Sequence, residues 1–168
     1  MNGKRAKSVT LETARWKLAS IWFPGVGIIY VLMVLQSMGG IYGQDIGKAW
    51  AWCLPNTIPT LGLMLSVFTA YALISRSMED TMTVRLPFYR LTMYISIFYI
   101  ANVFVVIVAA PYSALQSAND SADLVGALQQ ANFWLGPLQG LAAASLAALF
   151  FTKADEAESQ TTPNGRDK

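Results

Sequence analysis

The chain has 168 residues, of which 54% are hydrophobic and only 13% charged, the balance of a protein whose solvent is lipid rather than water. A net charge of +2, scattered along the chain, excludes a nucleic-acid surface. With no histidine and one cysteine, Cys53, a single chain cannot build a disulfide, a CxxC redox pair, a Cys/His zinc cluster or a histidine-ligated haem.

Four stretches contain no Asp, Glu, Lys or Arg: residues 18–44, 49–75, 91–119 and 124–152. Each exceeds the roughly 20 residues needed to cross the hydrocarbon core. They predict an all-α integral membrane protein, one four-helix transmembrane domain over residues 1–152 with spans near 19–38, 56–75, 92–113 and 133–152, joined by short loops.

The first span follows a basic segment and is preceded by a short helix over residues 10–22, with Thr10 as its cap, Arg15 and Lys17 toward lipid phosphates, and Trp16 and Trp22 in the interface. Pro24 is expected to kink or restart the chain. The apolar run is too long for a secretory signal and no small-x-small cleavage site follows, so it reads as a retained anchor.

The second span opens on Pro55-Asn56-Thr57-Ile58-Pro59-Thr60. Pro59 lacks an N–H, so the carbonyl of Pro55 loses its helical donor. Together with Gln36, Asn102 and Gln139, the residues Asn56, Thr57 and Thr60 have two readings: hydrogen bonds that join helices, or an uncharged polar vestibule in the outer half of the bundle.

The third span holds eleven strong apolar residues between Leu91 and Val108. They contribute about 3 to 7 kcal/mol of insertion, enough to carry Asn102. The fourth is richer in alanine and carries Pro137 and Gln139, so its insertion depends on neighbouring helices. Gly136, Gly140, Ala144 and Ala148 recur every four residues and lay a groove of small residues down that helix. The groove suits close helix packing, within the bundle or between subunits of a homo-oligomer.

Orientation follows from the cations. Eleven lysines and arginines lie on one side of this topology, in the N-terminal segment, the 76–90 loop and the tail, and only Lys48 lies on the other. Both termini are therefore expected in the cytoplasm of a multi-pass cell (inner or plasma) membrane protein. Tyr42, Trp50, Trp52, Tyr112 and Trp134 mark the outer interface, while Tyr30, Tyr94 and Tyr99 lie deeper and are expected to face other helices or find hydroxyl partners there. The 153–168 tail has no apolar residue larger than alanine and reads as disordered. The 76–90 loop, with Arg76, Glu79, Asp80, Arg85 and Arg90, is the expected docking surface for a soluble partner.

No span carries an ionisable side chain of the kind that proton-coupled carriers, pumps and voltage sensors place there. Nor does the chain hold the Ser/His pair, embedded Asp pair or metal cluster of intramembrane hydrolysis. No catalytic, cofactor-binding or metal-binding residue is expected. The reading is a non-enzymatic membrane subunit, with the lipid bilayer and either copies of itself or a partner protein as its contacts. A concrete version is a pore-forming or membrane-perturbing effector of a toxin or cell-defence system. The alternative is a small channel or facilitator for neutral or weakly polar solutes.

Overall fold

The structure, a computed structural model, describes residues 8–73, 83–116 and 121–151. These residues are almost wholly helical. Four helices follow in order, α1 (Leu11–Met38), α2 (Ile46–Leu73), α3 (Leu86–Gln116) and α4 (Ser121–Phe151). Two of them, α1 and α3, are long and apolar enough to cross a membrane. The 153–168 tail and Arg76, Glu79 and Asp80 lie outside the described residues.

The helices bury one stripe each. On α1 it runs Leu18, Trp22, Val26, Ile29, Met33; on α3, Tyr89, Thr92, Ser96, Tyr99, Val103, Ile107. Spacings of three and four residues keep such a stripe on one face, and facing stripes interdigitate. The α3–α4 seam is the most extensive, followed by α1–α3 and α2–α4, with a thinner α1–α2 seam. Trp22 and Tyr99 stack across α1–α3 with ring centroids 5.8 Å apart.

Away from these seams the surface stays apolar. Only 33% of the most apolar window of α1, and 28% of that of α3, is buried inside the protein. Leu35, Val31, Phe98 and Val105 face outward, and Phe133 is 84% exposed.

The turn after α1 is set by glycine. Gly40 adopts φ +71°, where a side chain would be strained. Its N–H donates to the Ser37 carbonyl at 3.2 Å and that of Ile41 to the Gln36 carbonyl at 3.1 Å. This paired closure satisfies carbonyls that the helix end leaves open. A short 3-10 turn, Gly43–Asp45, leads into α2.

A feature absent from the sequence reading is a small antiparallel ladder, β1 (Ser8–Thr10) with β2 (Thr83–Arg85), pairing Val9 with Val84. It ties the starts of α1 and α3 to one short ladder, which α1 leaves at the Thr10 end and α3 at the opposite, Arg85 end. Other expectations need correction. Thr10 occupies the N-cap position of α1, but its hydroxyl donates to Thr13 Oγ1 at 2.7 Å and caps no backbone N–H. The chain does not restart at Pro24, since α1 continues through it. Much of the expected loops near 39–54 and 114–132 is helical, because α2 begins at Ile46 and α4 at Ser121. A charge-free run locates an apolar core, whereas a helix extends as far as its backbone hydrogen bonds close.

Candidate functional site

Prolines organise the polar interior. Each proline inside a helix removes the N–H that would bond the carbonyl four residues earlier. Pro59 frees the carbonyl of Pro55, and Gln139 on α4 donates its Nε2 to that oxygen at 2.8 Å. Pro111 on α3 likewise frees the carbonyl of Ile107, and Gln36 on α1 donates its Nε2 there at 3.1 Å. Two glutamines thus restore, from neighbouring helices, bonds that two prolines removed.

Gln36 is itself held by Tyr42, whose hydroxyl donates to Gln36 Oε1 and lies 3.3 Å from Met33 Sδ. Tyr42 is buried in the turn after α1, and that burial, with a smaller repulsion from Cys53, pushes its hydroxyl up to about 12.

Around Asn56 and Thr57 all four helices meet. Asn56 Nδ2 donates to the Trp52 carbonyl at 2.8 Å and to Asn132 Oδ1 at 3.3 Å, while its carbonyl accepts Tyr99 Oη at 2.5 Å. Thr57 Oγ1 donates to the Cys53 carbonyl at 3.0 Å. That leaves Tyr30 Oη as the donor across the 2.9 Å contact to Thr57 Oγ1. The segment Pro55–Thr60 is therefore bonded to α1 by Tyr30, to α3 by Tyr99 and to α4 by Asn132 and Gln139. Asn56, Thr57 and Thr60 are buried.

Of the six residues grouped from sequence, the structure brings together Asn56, Thr57, Thr60 and Gln139. Gln36 belongs to a separate α1–α3 contact. Asn102 returns its Nδ2 to the Phe98 carbonyl of its own helix at 2.7 Å and joins neither group. Tyr30 and Tyr99, read from sequence as deep tyrosines seeking hydroxyl partners, both find them on α2, whereas Asn132 did not emerge from sequence and Tyr42 was read only as an aromatic of the outer interface. One signal was available: the rule that exposes the Pro55 carbonyl beneath Pro59 also exposes Ile107 beneath Pro111.

The small-residue stripe lies elsewhere. Gly136, Gly140, Ala144 and Ala148 all sit on the exposed face of α4, beside Phe133 and Leu141. A Cβ added at Gly136 or at Gly140 would meet nothing within 4 Å. The close approach of helices within the chain falls instead at Gly25, where an added Cβ would lie 2.9 Å from Ile100 Cγ2.

Charge separates by end. Arg15, Lys17, Arg85 and Arg90 lie in the ladder or in the first two turns of α1 and α3. Lys48 lies at the opposite end and pairs with Asp45 at 2.8 Å. Arg85 and Arg90 are exposed. Among the described residues no three His, Cys, Asp or Glu side chains gather to hold a metal, and Cys53 is buried. No protein-family model, curated protein or solved structure matches this chain.

Proposed function

We propose that this chain is a non-enzymatic membrane subunit that crosses the bilayer four times, keeps both ends in the cytoplasm, and self-associates through the outer face of α4. The observation that carries self-association is the outward stripe Gly136, Gly140, Ala144 and Ala148, open at both glycines to a distance of 4 Å. In lipid, helix association draws on close van der Waals contact, and a groove of small residues permits it. The bundle's own seams leave this face uncovered.

The membrane part of the proposal is supported by outward surfaces that remain apolar around the bundle, where a water-soluble bundle would turn polar. It is also supported by the gathering of cations at the ladder end and their near absence at the other. A helix at the heart of a soluble protein would be mostly buried, and α1 and α3 are not.

The test is the oligomeric mass of the purified chain in lipid nanodiscs or mild detergent, compared with Gly140→Leu. The expected result is an oligomer for the parent chain and a monomer for the variant, with the melting temperature of the subunit maintained. A parent chain that is monomeric, or an oligomer indifferent to Gly140→Leu, would remove the interface. Solute flux through liposomes holding the same sample tells whether the assembly conducts.

A further inference from the structure

The interior around Tyr99 holds more hydrogen-bonding atoms than the protein satisfies. Trp22 Nε1, Thr60 Oγ1 and Ser96 Oγ are all buried, on residues no more than 1% exposed, and none has a hydrogen-bond partner among the described residues. They come from three helices and flank one side chain. Trp22 stacks on the Tyr99 ring, Ser96 precedes Tyr99 by three residues on the same face of α3, and Thr60 lies one turn beyond Asn56, whose carbonyl binds Tyr99 Oη.

Hydroxyls inside helices ordinarily return to their own backbone, as Thr57 does to Cys53 and Thr92 to Phe88. For Thr60 that acceptor is the Asn56 carbonyl, and Tyr99 Oη already occupies it at 2.5 Å. The indole of Trp22 has a stricter need, since it can only donate. Left unmet, each such group costs the fold the full desolvation of a polar atom.

We propose that the bundle centre beside Tyr99 is a binding site for water, a small internal cluster that accepts from Trp22 Nε1 and bridges Thr60 Oγ1 and Ser96 Oγ. Water fits the chemistry. The site offers one obligate donor, two hydroxyls able to donate or accept, and the free lone pairs of Tyr99 Oη, with no Asp, Glu, Lys or Arg in the neighbouring turns of α1, α2 or α3. The inference stands on burial and hydrogen-bond accounting alone and holds whether or not the chain self-associates.

The experiment uses the full chain, isotope-labelled and solubilised in detergent. A water-selective NMR measurement reads dipolar transfer to the Trp22 indole N–H, identified by its loss in Trp22→Phe. The melting temperatures of Thr60→Val, Ser96→Ala and the double variant are then compared with the parent. The proposal expects a cross-peak between Trp22 Nε1–H and water. It also expects each single variant to melt about 2–4 °C lower, and the double variant to lose less than the sum because the two hydroxyls share one cluster. A dry site gives the opposite sign, since removing an unsatisfied hydroxyl relieves the fold. Absence of the cross-peak, or a raised melting temperature in either single variant, overturns the proposal.

Discussion

Gly25 and Gly140 are the same residue in apolar helices of similar length, and they do opposite things. A Cβ at Gly25 would press on Ile100 Cγ2 at 2.9 Å, so this glycine lets α1 approach α3. A Cβ at Gly140 would meet nothing within 4 Å. The contrast shows that a small residue in such a helix marks permission for contact, and that only the fold tells whether the contact is internal. One seam of this bundle consumes its glycine, and the outer face of α4 leaves two unused.

The largest expected effect breaks the inner half of this contrast. Gly25→Leu forces a branched side chain against Ile100 and should destabilise the subunit by about 1–3 kcal/mol, read as a lowered melting temperature. In Gly140→Leu, replacing glycine within a helix should leave the isolated subunit unchanged or more stable by up to about 1 kcal/mol. Equal losses in the two variants would show that the outer face of α4 is packed after all.

Next come the proline-linked bonds, which separate contacts between helices from those within one. Gln139→Leu leaves the Pro55 carbonyl without a donor and should cost about 1–2 kcal/mol in detergent unfolding. Pro59→Ala in that background restores the helical N–H, so the double variant should recover most of the loss. A cost that persists with Pro59→Ala would mean Gln139 acts through packing alone. Tyr99→Phe removes the bond to the Asn56 carbonyl and should cost about 1 kcal/mol by the same measurement.

The smallest effect belongs to Asn102, which bonds only to its own helix. Asn102→Leu should change stability by less than about 0.5 kcal/mol. A loss as large as that of Gln139→Leu would dissolve the distinction between the two kinds of polar residue.

How much of this was legible in the sequence follows the range of each interaction. The helical cores of all four segments could be read from charge-free runs, because apolar length is a local property. Their ends were not read from those runs, since Ile46 and Ser121 begin helices well before the apolar cores; the signal available was Asp45 before Ile46 and Asn119-Asp120 before Ser121, residue types that favour helix starts. The ladder of Val9 with Val84 was missed because three-residue strands, distant in sequence, leave only a brief β-branched trace. The unmet Pro55 carbonyl could be foreseen from Pro59, but its partner Gln139 lies on another helix. Nothing in the sequence told Gly25 from Gly140, whose difference is the presence or absence of Ile100.

The proposed four-span topology, with the ladder end in the cytoplasm, is open to site-directed labelling. In a Cys53→Ser background, Gln44→Cys in the turn before α2 and Thr10→Cys at the ladder are each exposed to a membrane-impermeant thiol reagent in intact cells. In a four-span subunit so oriented, Gln44→Cys reacts at once and Thr10→Cys only after the membrane is opened. Equal reaction at both positions, or reaction at Thr10→Cys alone, would contradict it.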